Sequence, residues 1–96
     1  MSPENIKKLN KLRKDLDKLD NSFIKLIKKR TLIVKQVLSL KEYKNQIVDK
    51  KRINLILKEI KKKSIKNKID PKITNRIWKN MIWSYIDYEK KNFKKK

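Results

Sequence analysis

The stretch from Ile24 to Lys41, "IKLIKKRTLIVKQVLSLK", decides how the chain is read. It contains no glycine or proline, and its apolar residues recur at helical spacing. Side chains advance about 100° per residue around a helix. On that wheel Leu12, Leu16, Leu19, Phe23, Val34 and Val37 share one narrow stripe. Arg30 and Lys41 fall in the middle of the same stripe, on the face that burial should claim.

Upstream, the pattern extends to the start of the chain. Ser2 suits an N-cap, and Pro3 suits the first helical position. The spacing therefore predicts one unbroken helix of about 39 residues, about 58 Å long at 1.5 Å per residue. Downstream, "EYKNQIV" reads as a connection. Asp49 caps a second helix carrying Ile53, Ile56, Leu57 and Ile60, which fades through "KKKSIKNK". Asp70-Pro71 restarts a third helix with Ile77, Trp78, Met81, Ile82 and Tyr85, and "KKNFKKK" is expected to fray. The expected fold is all-α: three helices, the first very long, in one domain spanning residues 1–96.

Composition narrows the chemistry. The chain has 96 residues, of which 38% are hydrophobic and 42% charged, so its interior is small. With no Gly, glycine-rich phosphate loops are excluded. With no Cys and no His, disulfides, thiol catalysis, histidine bases and zinc sites built on those ligands are excluded too. No metal or cofactor is expected. No apolar run reads as a membrane span or signal peptide, so the expectation is a cytoplasmic protein with no membrane partner.

The net charge of +20 raises the question of a nucleic-acid partner. The cations are 26 Lys and four Arg, and the Lys are spread over the whole chain. That distribution reads as compositional drift on solvated positions, and it disfavours a dedicated binding face.

The four Arg stand apart, because a guanidinium grips a carboxylate through two parallel hydrogen bonds and an ammonium does not. Arg30 lies on the apolar stripe, Arg13 borders it, and Arg52 opens the second helix; Arg76 has no special position. Glu89 is a second misfit, on the same face as Trp78, Ile82 and Tyr85. One carboxylate cannot compensate Arg30, Lys41 and Arg52 together, and each unpaired buried charge costs several kcal/mol. An internal Glu89–Lys41 or Glu89–Arg30 ion pair, with the remaining cations reaching outward to water, is one reading; it leaves at least two cations uncompensated, and the reading preferred is a small ligand with two negative groups that supplies the missing charge. Arg30 and Lys41 are eleven residues apart, about 16 Å along a helix, a gap that suits one small metabolite. Arg13 stands seventeen residues before Arg30, about 25 Å away, and reaches that ligand only from a second chain running antiparallel. A helix of about 58 Å also overhangs a domain whose radius of gyration is about 13 Å, so a partner chain is expected to cover its stripe.

These features resemble the all-helical (type II) chorismate mutases and the related isochorismate-pyruvate lyases. The resemblance rests on "LRKDLDKLD", "KKRTLIVKQVLSLK", "DKKR", "IDP" and the aromatic third helix, and it covers nearly the whole chain. It implies an intertwined homodimer with two shared active sites. Arg13 of the partner and Arg30 would each hold a substrate carboxylate. Lys41 would bind the ether oxygen and a carboxylate oxygen, and Asp49 and Arg52 would close the site. Glu89 stands where mutases commonly have Gln, the other donor to the ether oxygen. Two positions depart from the mutase pattern. Ile53 follows Arg52 where many mutases have Glu, and Tyr85 replaces a small hydroxyl residue. Both departures look like the lyase branch.

Overall fold

The computed structural model describes residues 1–94. All regular structure among them is helical: α1 (Pro3–Leu40), α2 (Lys50–Lys66) and α3 (Pro71–Asn92), with one 3₁₀ turn at Lys44–Gln46. The first helix is within a residue or two of the length expected from its stripe. Ser2 caps it, its Oγ accepting from the Asn5 N–H at 3.2 Å, and Pro3 occupies the first turn where no N–H is needed. Within the helix the hydroxyls of Ser22, Thr31 and Ser39 donate back to main-chain carbonyls, so these polar residues do not interrupt it.

The chain divides into two compact units, Met1–Ile33 and a second beginning at Val34. The first unit is helix throughout, apart from its first two residues, and has no buried residue. Its stripe residues Leu12, Leu16, Leu19 and Phe23 are all more than half exposed.

The second unit has a core. Ile47, Ile82 and Ile86 are buried, and Ile53, Ile56, Leu57, Trp78 and Phe93 pack against them. α2 and α3 lie against each other, and the Ser64 and Thr74 hydroxyls join them by a 2.6 Å hydrogen bond. Ser64 also donates to the Ile60 carbonyl at 2.6 Å, which satisfies a polar side chain that is only 3% exposed.

Two helix ends are firmer than the sequence suggests. α2 does not fade through "KKKSIKNK" but holds to Lys66. Its end is closed by two bonds, Lys68 N–H to Ile65 C=O at 3.1 Å and Ile69 N–H to Ser64 C=O at 2.9 Å. That pair is a Schellman closure, which requires a left-handed residue just beyond the cap. Lys68 supplies it, with φ of 57°, in a chain that has no glycine to offer. At the other end of the hairpin, α3 continues to Asn92, where the expectation was fraying from Lys90. Phe93 explains this, because it packs on the isoleucine cluster and ties the helix end down. Lys95 and Lys96, the last residues of the expected frayed tail, lie outside the described residues. Among the described residues, no helix is long and apolar enough to cross a membrane.

Candidate functional site

The second unit brings two of the singled-out residues into direct contact. Lys41 is the first residue past α1, where its N–H still reaches the Leu38 carbonyl at 3.1 Å. Glu89 sits on α3, one turn beyond Ile86 and two beyond Ile82, so the core face of that helix delivers it inward. Lys41 Nζ donates to Glu89 Oε2 at 2.6 Å. The two side chains are 18% and 9% exposed. A short, charge-assisted bond of this kind is among the stronger hydrogen bonds a protein makes. It offsets the desolvation that either charge would suffer alone.

The connection from Lys41 to Asp49 has its own supports. Gln46 Oε1 accepts from the N–H groups of Glu42 and Tyr43, at 2.8 and 2.9 Å. Ile47 inserts into the core and is 4% exposed. Asp49 then caps α2, its Oδ1 accepting from the Arg52 N–H at 3.0 Å. Asp49 and Arg52 are therefore joined through the main chain, and both are exposed. Tyr85 lies one turn before Glu89 on α3 and is half-buried. Ile53 is half-buried as well, packed on the isoleucine cluster.

Arg13 and Arg30 belong to the first unit, both on α1. Arg13 is exposed and Arg30 is partly buried.

Sequence reasoning passed over Gln46 and Ile47, having read "EYKNQIV" as a plain connection. The signals were present. A Gln three residues after the start of a short turn is the second half of a capping box. The pair Ile47-Val48, set among polar residues, marks an anchor in the core.

A lysine and a carboxyl held tip to tip can do a limited set of things. They do not make a nucleophile or a metal cage. They can bind an anion through Lys41. They can also direct two donors at one oxygen atom when the carboxyl carries its proton. A family model described as chorismate mutase type II matches residues 12–90, a span that includes Arg13, Arg30, Lys41, Asp49, Arg52, Tyr85 and Glu89. No curated protein and no solved structure matches the chain.

Proposed function

The chain belongs to the type II chorismate mutase family, and from that premise we propose that it converts chorismate to prephenate. The observation that carries the proposal is the Lys41–Glu89 pair, closed at 2.6 Å inside the matched span. The rearrangement is a concerted pericyclic shift. The ether C–O bond breaks while a C–C bond forms, and no proton or group leaves the molecule. A chain without Cys or His lacks nothing that this reaction needs.

Two tasks remain for the protein. One is to hold the substrate in the diaxial, chair-like form in which the reacting carbons meet. Arg30 and the partner's Arg13 do this, each gripping one carboxylate through its planar fork. Asp49 and Arg52 close the site at the start of α2, and Tyr85 forms part of its wall. The other task is to stabilise negative charge growing on the ether oxygen. Lys41 and, when its carboxyl carries a proton, Glu89 direct two donors at that oxygen.

The reading includes a homodimer. The exposed stripe Leu12, Leu16, Leu19 and Phe23 supports it, because an apolar surface of this length calls for a covering partner. With the two long helices antiparallel, Arg13 of one subunit serves the site of the other. Mixing inactive Arg13→Ala with inactive Arg30→Ala protein should therefore restore activity, since each heterodimer regains one intact site. Absence of recovery after verified subunit exchange overturns the shared site.

A second reading has an observation of its own. Ile53 packs in the apolar cluster, so the residue after Arg52 offers no carboxylate to a substrate hydroxyl. This favours isochorismate-pyruvate lyase activity, in which the same cage holds isochorismate while a ring hydrogen shifts to the enolpyruvyl methylene, the ether C–O bond breaks and pyruvate departs. Incubation with chorismate and, separately, with isochorismate decides between them. Prephenate from the first supports the mutase, and salicylate with pyruvate from the second supports the lyase. Turnover of neither overturns both.

A further inference from the structure

We propose that Gln46 is a positioning residue for Lys41, and that its side-chain carbonyl holds the chain just after α1 so that the ammonium meets Glu89. The proposal rests on the functional reading above and adds to it a residue that touches no substrate.

A helix end creates the need. After Leu40 the chain leaves helical geometry without a glycine to close the end, and no basic residue stands in the last turn of α1. Lys41 follows at once. Its own N–H is held by Leu38. The next two N–H groups, of Glu42 and Tyr43, have left the helix, and each takes an acceptor from the protein or from water. Gln46 meets both with one oxygen, at 2.8 and 2.9 Å. A carbonyl oxygen has two lone pairs, so a single amide side chain can accept both bonds.

Gln46 is held in turn. Its N–H donates to the Tyr43 carbonyl at 3.0 Å, and the Ile47 N–H donates to Lys44 at 3.2 Å, which closes the 3₁₀ turn. Ile47 then locks into Ile82 and Ile86 of α3, the helix whose next inward residue is Glu89. The turn is thus fixed to the element that carries the carboxyl. Gln46 fixes the start of the turn relative to its middle. A lysine side chain has four rotatable bonds and finds one geometry easily only when its backbone is already placed. Without Gln46 the anchor at Ile47 survives, but the five residues between Lys41 and Ile47 lose their cross-link.

The test uses the full chain and two variants. Gln46→Ala removes the acceptor, and Gln46→Glu keeps an oxygen at the same reach. Amide hydrogen exchange at Glu42 and Tyr43 should accelerate in Gln46→Ala and stay slow in Gln46→Glu. With whichever of chorismate and isochorismate the wild type turns over, kcat should fall about tenfold in Gln46→Ala, within the range expected for a slightly misplaced group. KM should change little, the melting temperature should hold, and Gln46→Glu should recover most of the rate. A merely structural role would lower the melting temperature and leave kcat per folded site unchanged; that result overturns the proposal. Unchanged exchange in Gln46→Ala also overturns it, whatever the kinetics. A wild type inactive on both substrates sinks the functional reading instead, and the exchange measurement then decides alone whether Gln46 holds the turn.

Discussion

Lys41→Met should lower kcat for prephenate formation by about 100- to 1,000-fold, the loss that follows removal of one preorganised donor from a developing oxyanion. Met keeps the length and the apolar stem of Lys and removes only the ammonium. The same change strands Glu89, whose side chain is 9% exposed and loses its partner at 2.6 Å. Breaking a fully buried pair costs about 3–5 kcal/mol. The 18% exposure of Lys41 admits some water, so a loss near the lower end of that range is expected. The double variant Lys41→Met, Glu89→Gln separates the two effects. A neutral amide needs no counter-charge, so most of the stability should return while the rate stays low. Denaturant unfolding and steady-state kinetics on the three proteins read both quantities. A Lys41→Met enzyme within tenfold of wild type would end the role assigned to the ammonium.

The second large effect concerns the proton on Glu89. Glu89 accepts from Lys41. To donate to the ether oxygen it must carry a proton, since an ionised carboxylate only accepts. An ionised Glu89 would also face the growing negative charge and oppose it. Gln has a similar shape and donates through its amide. Glu89→Gln should therefore match or exceed the wild type, while Glu89→Leu, which removes the donor, should lower kcat by about 100-fold, the scale of one preorganised donor. Steady-state kinetics on the two variants reads both outcomes. A Glu89→Leu enzyme within tenfold of wild type would falsify the donor role.

The long helix was legible from the sequence because nothing in residues 3–40 competes with it: no breaker occurs after Pro3, and the stripe has a single period. The caps at Asp49 and Asp70 were legible for a local reason, since each bonds an N–H within three residues of itself. Glu89 was legible as a charge on an apolar face, and it lies buried against Lys41. The rest depended on contacts between residues far apart in sequence. Ile47 gave no periodic signal, because an isolated apolar residue in a turn shows its role only once α3 lies beneath it. Gln46 is the exception: its two main-chain donors lie only three and four residues before it, so its role had a local signal. The firmness of α3 beyond Lys90 came from Phe93, whose anchor again is tertiary.

Lys68 carries a consequence for heat. At φ of 57° it occupies a conformation that costs an ordinary L-residue about 1 kcal/mol and glycine almost nothing. Part of that gain is returned by the greater freedom glycine gives the unfolded chain. For a domain of this size each kcal/mol moves the melting temperature by about 4–8 °C. Lys68→Gly should therefore melt a few degrees higher, read by calorimetry, without altering Lys41 or Glu89. The exclusion of glycine from this sequence thus has a thermal penalty, and among the described residues the backbone concentrates it at Lys68, just beyond the cap of α2.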